Sequence, residues 1–217
     1  MKLILHNQQE THLYEPQNVY CFARTYAEHA VELKNPIPAE PVLFLKSNQS
    51  LRELEGGPVS FANEVFHYEA EVVVLIGMPV KLGERCGWEF IAGVGLGIDL
   101  TRRGVQSQLK TSGLPWAIAK SFAGSAIVSK FLPPTSFPDP DKISFRFFLD
   151  GELRQSACVD QMTFSIPALL TWLARYQPLV AGDLIFTGTP SGVGEIRCGQ
   201  RFTLELPIVG QSFDGVL

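Results

Sequence analysis

His67-Tyr68-Glu69-Ala70-Glu71-Val72-Val73-Val74-Leu75-Ile76-Gly77 runs from an acidic start into an unbroken aliphatic segment. A β-branched run of this kind favours a strand, and Gly77 and Pro79 end it. Strand side chains alternate faces, so Glu69 and Glu71 point the same way. Two carboxylates side by side repel unless something positive sits between them. On a surface, water screens that repulsion; here the run enters residues 72–76, which read as core. A bound divalent cation resolves the conflict, and an oxygen-only ligand set favours a hard ion such as Mg²⁺. An exposed acidic strand start fits the same spacing, because short E-x-E motifs are common.

The chain has 217 residues, 46% of them hydrophobic. That supports one domain over residues 1–217, burying about 70% of its unfolded surface. The net charge of −4 and the pI of about 5.6 come without any basic run, which argues against a nucleic-acid partner. The apolar part of residues 1–6 is too short for a signal peptide, and no apolar run approaches the length that crosses a membrane. Cys21, Cys86, Cys158 and Cys198 form no C-x-x-C pair and read as reduced thiols. The expected location is the cytoplasm; the residues alone leave the mitochondrial matrix open, with no Arg/Ser-rich leader visible.

Residues 19–22 and 41–46 read as strands, and residues 24–33 as a helix stopped by Pro36 and Pro38. On that helix His29 and Glu32 stand at i and i+3 and share a face. Such a pair can hold and deprotonate a water, or it can be an exposed helical ion pair. Residues 51–62, with Gly56-Gly57-Pro58, read as loop, and residues 84–90 as a short helix. Residues 91–101 alternate glycine with apolar side chains, a pattern of close backbone approach rather than a dinucleotide fingerprint. Asp99 ends that run and is either a third acidic ligand or the N-cap of a helix over 102–109. Lys120 lies among apolar and small residues and needs an anionic partner, from the protein or from a substrate. Residues 143–149 and 152–159 form a hairpin about Asp150-Gly151, and Ser165 caps a helix through Tyr176. The loop 187–194 is rich in glycine and hydroxyls and suits an anion, although it is no P-loop.

Taken together these pieces resemble the fumarylacetoacetate hydrolase family, from about Val19 to the C-terminus. The resemblance is carried by Tyr26-Ala27-Glu28-His29, Pro41-Val42-Leu43-Phe44-Leu45-Lys46, His67-Tyr68-Glu69-Ala70-Glu71, Asp99-Leu100-Thr101, Arg103 with Val105-Gln106, Gly113-Leu114-Pro115-Trp116, Ala119-Lys120-Ser121-Phe122 and the glycine-rich loop at 187–194. The Gly-Leu-Pro-Trp and Ala-Lys-Ser-Phe elements look like the short branch that includes acylpyruvate hydrolases and oxaloacetate decarboxylases. The resemblance implies an α+β, mainly β fold: a mixed β-sandwich roll with peripheral helices, usually a homodimer. It implies Mg²⁺ or Mn²⁺ held by Glu69, Glu71 and Asp99, with Lys120 as the active-site lysine. It also implies His29 and Glu32 as the acid–base pair on a lid helix, and Arg24, Arg103, Gln106 and Thr189 as substrate-binding positions. Three departures stand out: Gly104 where the family commonly has Asp, Thr25 where it often has Asn, and Ser47 where Lys-Pro is common. The loss of the carboxylate at 104 bears on the pose of Arg103.

The implied chemistry is hydrolysis of the C–C bond of 2,4-diketo acids (acylpyruvates) through a pyruvate enolate. Oxaloacetate decarboxylation and isomerisation or hydration of a 2-oxo-dienoate use the same enolate chemistry and stay open. So does a dimer that binds small anions without catalysis.

Overall fold

In the computed structural model, which describes residues 2–6, 11–27, 38–54, 56 and 64–217, the aliphatic run is the strand Ala70–Ile76, buried at every position. Val72, Val74 and Ile76 face the larger of two cores, and Val73 and Leu75 the smaller. Burial on both faces explains why the run carries no polar alternation. Each such side chain contributes about 1.5–3 kcal/mol. The start of the segment differs from the expected single strand. Val65–Tyr68 pairs with Gly194–Arg197 in a separate ribbon, and Glu69 stands at the break. The register survives the break, because the Asp99 amide donates to the Glu69 carbonyl at 2.8 Å.

Ala70–Ile76 is the centre of a seven-stranded mixed sheet ordered Val42–Lys46, Val19–Ala23, Leu184–Phe186, Ala70–Ile76, Ile91–Asp99, Ala126–Val128, Leu51–Glu53. A four-stranded antiparallel sheet (Glu152–Cys158, Ser144–Leu149, Arg201–Leu206, Gln211–Val216) shares the larger core with it. Phe145, Phe147 and Phe202 from the smaller sheet meet Leu96 and Ile98 there, and the Tyr68 and Phe147 rings lie 4.6 Å apart. Of the helices described, Ile166–Ala174 buries Ile166, Leu169, Leu170 and Leu173 in this core, while Arg103–Thr111 and Ala117–Lys120 flank the sheet. The result is the expected mainly β sandwich roll with peripheral helices. Among the described residues no helix is long and apolar enough to cross a membrane.

Local chemistry accounts for most boundaries. Asp150 and Gly151 both have positive φ, 50° and 83°, as a two-residue hairpin turn requires. The Ser165 hydroxyl accepts from the Ala168 amide and caps its helix. Three expectations fail. The stretch expected as a helix from residue 24 is not helical at its start: Arg24 has φ 59° and Tyr26 forms an isolated bridge with Met162. Leu51–Glu53 is an edge strand, parallel to Ala126–Val128, because a free sheet edge recruits a three-residue segment that has little intrinsic signal. Residues 84–90 hold only the 3₁₀ turn Trp88–Phe90, which starts after the extended Gly87.

The glycines of Ile91–Asp99 mark close approach. A Cβ on Gly93 would lie 2.7 Å from Phe131 Cβ. One on Gly97 would lie 2.7 Å from the Ile127 carbonyl oxygen and 2.8 Å from both Phe186 and Val73. The carbonyl belongs to the neighbouring strand and cannot swing away. Gly97→Ala is therefore expected to destabilise the fold by about 1–3 kcal/mol, measured by thermal or urea unfolding. An unchanged midpoint would show that the sheet relaxes at no cost.

Candidate functional site

Strand register builds the site. Glu71 pairs opposite Gly97 and Ala70 opposite Ile98, so Asp99 stands opposite Glu69 and diagonal to Glu71. Because side chains alternate, all three carboxylates share one face. One oxygen from each lies within 4.8 Å of the other two, and the residues are 7%, 1% and 0% exposed. That burial rules out the exposed acidic strand start. Asp99 is not the helix cap either: Arg102 occupies the cap position of Arg103–Thr111, with no side-chain bond.

Cations compensate the acids. Lys120 Nζ donates to Glu69 Oε2 at 2.7 Å and to Asp99 Oδ2 at 2.6 Å. Lys46 Nζ lies 2.8 Å from Asp99 Oδ1 and 3.0 Å from both the carbonyl and the hydroxyl of Ser125, and it also contacts the Lys120 carbonyl. Arg103 donates to Glu69 Oε1 at 2.5 Å and to Gln106 Oε1 at 2.6 Å. Its pose is thus held without a carboxylate at 104, where a side chain would enter open space.

Glu71 has a different environment. Its Oε2 accepts from the Gly188 amide at 2.7 Å, and no cation pairs with it among the described residues. Burial, then repulsion by Asp99 and Glu69, pushes its carboxyl well above the usual range, against the opposing pull of Gly188 and Lys120. Burial also acts to raise Glu69, but Lys120 and Arg103 outweigh it and hold that carboxyl low. Lys120 is displaced upward: burial opposes its charge, and Asp99 and Glu69 more than offset this. The anion met by the glycine-rich loop is therefore the protein's own Glu71. Gln155 fastens this loop. Its amide nitrogen donates to the Thr189 hydroxyl at 2.8 Å, its carbonyl accepts from the Ala70 amide at 3.0 Å, and Thr189 donates to the Ala70 carbonyl.

Arg24, Arg103, Gln106, Lys110, Trp116 and Thr189 line a pocket with Glu69, Glu71 and Lys120. All predicted site residues that are described thus meet at one place. His29 and Glu32 lie outside the described residues. The pattern-based reading missed Lys46, Gln155 and Lys110. Lys46 sits at a strand end, where lysine usually reaches solvent, and Gln155 is a buried position in an otherwise exposed stretch of its strand. Three buried carboxylates with no nitrogen or sulfur donor fit a hard divalent cation. The Lys120 ammonium between two of them shows that the face is built around positive charge.

Comparison with known proteins agrees with this geometry. The family model for the C-terminal region of fumarylacetoacetate hydrolase matches residues 18–212. The mitochondrial oxaloacetate tautomerase of Mus musculus is 40% identical over 185 residues, covering 83% of each chain. The Arabidopsis thaliana protein of that name is 37% identical over 188 residues, covering 85% of this chain and 84% of its own. Among solved structures, fumarylpyruvate hydrolase from Pseudomonas aeruginosa, in complex with Mn²⁺ and pyruvate, superposes with a TM-score of 0.87 at 30% identity, over 99% of this chain and 95% of that one. The 5-carboxymethyl-2-hydroxymuconate delta-isomerase from Mycobacterium smegmatis gives 0.77 at 28% identity, over 94% and 79%. With its acidic trio, lysine and loop on one mainly β roll, this chain belongs to the fumarylacetoacetate hydrolase family.

Proposed function

We propose that this chain performs keto–enol chemistry on a small 2-oxo acid, with oxaloacetate as its first substrate, and that Glu69, Glu71 and Asp99 hold Mg²⁺ or Mn²⁺. The observation that carries this reading is the cluster of three buried carboxylates in which Lys120 bridges Glu69 and Asp99, while Glu69 and Glu71 line the pocket together with that lysine. A bound divalent cation supplies Lewis-acid polarisation of the 2-oxo group. Arg103, Gln106 and Thr189 anchor the substrate carboxylate. His29 and Glu32 take a proton from C3 and return it to oxygen or carbon, which interconverts keto and enol forms; such a group contributes about 10²–10⁴ in rate. Lys120 keeps a positive charge beside the oxygen that becomes negative as the proton leaves, where fixed charge is most effective. The relatives named oxaloacetate tautomerases support this choice.

A second reading is hydrolysis of acylpyruvates. His29 and Glu32 would activate water to attack the distal carbonyl, the C3–C4 bond would break, and its electron pair would leave with the pyruvate fragment as enolate. The likeness to a fumarylpyruvate hydrolase favours it. Residues 1–217 are proposed to act as one catalytic unit in a homodimer. Reduced thiols suit the cytoplasm, and equally the mitochondrial matrix, where the names of the relatives place those proteins.

Freshly dissolved enol-oxaloacetate and acetylpyruvate, each with Mn²⁺ or with EDTA, separate these readings. Metal-dependent loss of the enol absorbance without pyruvate is expected, at least about 10²-fold above free metal. Pyruvate from oxaloacetate would indicate decarboxylation, and loss of acetylpyruvate would indicate hydrolysis. No turnover of either substrate would overturn the enolate reading.

A further inference from the structure

Where the central strand runs out of a neighbour on one side, side chains take its place. Leu184–Phe186 pairs with Ala70–Ile76 only as far as Val73, and the Thr187 amide adds one bond to the Val72 carbonyl at 3.1 Å. Ala70, between Glu69 and Glu71, lies beyond that end and pairs with Ile98 on its other side. Its amide donates to Gln155 Oε1 at 3.0 Å, and its carbonyl accepts from the Thr189 hydroxyl at 2.9 Å. Gln155 is a buried residue of Glu152–Cys158, in the four-stranded sheet.

These bonds fix the direction of the protons. The Ala70 amide can only donate, so it identifies the oxygen end of the Gln155 side chain. The nitrogen end then faces the Thr189 hydroxyl at 2.8 Å, the Pro190 carbonyl at 3.0 Å and the Ser191 carbonyl at 3.4 Å. The hydroxyl therefore accepts from Gln155 and donates its single proton to Ala70. Thr189 can meet a substrate carboxylate only through its main-chain amide, whose direction depends on how the loop is held. On one side of Thr189, the Gly188 amide binds Glu71, and a Cβ on Gly188 would collide with the Thr25 hydroxyl. On the other, Gly192 has φ 91°, and a Cβ there would collide with the Arg154 carbonyl. The loop thus lies against the backbone that carries Gln155.

We propose that Gln155 is a positioning residue of the site, which sets the affinity for substrate by fixing the Thr189 hydroxyl and with it the loop 188–191. The proposal rests on the 2-oxo acid reading above and adds to it a residue of the second sheet that does not line the pocket. Glu69, Glu71 and Asp99 belong to the paired central strands and not to this loop, so Gln155 acts on the organic ligand far more than on the metal.

Calorimetry on the wild type, Gln155→Leu, Thr189→Val and the double variant tests this role. Two affinities are compared: that for Mn²⁺, and that of the Mn²⁺-loaded protein for oxalate, a stable dianion with the paired oxygens of an enolised 2-oxo acid. Leucine and valine keep the shapes and remove the hydrogen bonds. Each single variant is expected to bind oxalate about tenfold more weakly, with Mn²⁺ affinity within about threefold of wild type. The double variant should lose no more than about one single variant does, because both residues act through one bond. Thr189→Ser, which keeps the hydroxyl, should recover most of the loss. Unchanged oxalate affinity in Gln155→Leu, losses that add in the double variant, or an equal loss of Mn²⁺ affinity would overturn the proposal and leave the 2-oxo acid reading intact. Should Gln155→Leu fail to fold, Gln155→Met is read in the same way; if neither folds, Gln155 is a structural residue and the proposal falls. Failure of the wild type to bind oxalate with Mn²⁺ would overturn the 2-oxo acid reading itself, and the role of Gln155 with it.

Discussion

Lys46→Met is expected to lower the free energy of unfolding by about 3–5 kcal/mol. For a chain of this size that is a fall in Tm of roughly 10 °C. Methionine matches the lysine stem, so the loss comes from the ammonium. Without it, Asp99 Oδ1, the Ser125 carbonyl and hydroxyl and the Lys120 carbonyl lose a common donor in a place that water does not reach. Lys120 still neutralises Asp99 through Oδ2, which limits the damage to one side of the carboxylate. A double-mutant cycle with Asp99→Asn isolates the pair, because residues in contact show coupling of about 0.5–3 kcal/mol. Lys142→Met is the control, since its pair with Asp139 is at the surface. If Lys46→Met moves the urea midpoint no further than that control, the ammonium is not a structural element of the acidic face. Its loss should also weaken metal binding by about 10–100-fold, the usual effect of removing a group that orients a ligand.

Lys46 also shows where the sequence stops being legible. Period-two alternation places Glu69, Glu71, Val73 and Leu75 on one face, and the register with Ile91–Asp99 follows from glycines that admit Phe131 and Phe186. The acidic trio is thus readable from pattern, once Asp99 is taken as the end of a buried strand. A lysine at a strand end is not readable in the same way. Alternation assigns it a face and says nothing of whether that face is solvent or core, and only the docking of Ala117–Lys120 and Ser125 against it decides. Gln155 is hidden for a related reason: its partners Ala70, Thr189 and Pro190 lie far away in the chain. The break at Glu69 has no composition signal, because Tyr68 and Ala70 are equally at home in one strand or two. The edge strand Leu51–Glu53 exists through its neighbour, not through its own propensity. Lys110 stands in the last turn of its helix, an ordinary position for a cation, and no spacing in the sequence links it to Arg24, with which it lines one pocket.

Mn²⁺ at about a hundred times its dissociation constant is expected to stabilise the protein by about 2.7 kcal/mol, and by more at pH 8 than at pH 6. The pH dependence comes from Glu71. Burial first, then Asp99 and Glu69, raise its carboxyl pKa above the ordinary 4.5. An acid whose folded pKa exceeds its unfolded value favours the folded state while it is protonated. That contribution is complete below about pH 4.5 and is lost as pH rises toward the folded pKa. The metal-free protein therefore weakens over this window. A cation needs the ionised carboxylate, so binding expels the proton and tightens with pH, by about tenfold per unit while Glu71 remains protonated. Both effects have the same sign, and the stabilisation by metal grows from acid toward neutral and alkaline pH. The measurement is Tm at pH 6, 7 and 8, with Mn²⁺ and with EDTA, for the wild type and for Glu71→Gln. Glutamine keeps the shape, cannot ionise and offers a weaker ligand. It should raise the Tm of the metal-free protein at pH 8, because it removes a buried repulsion, and it should abolish most of the metal response. A metal response that is independent of pH, or that survives in Glu71→Gln, would mean that the cation is held without Glu71. The lysine-bridged pair Glu69 and Asp99 would then be the whole acidic site, with Glu71 serving only to bind the Gly188 amide.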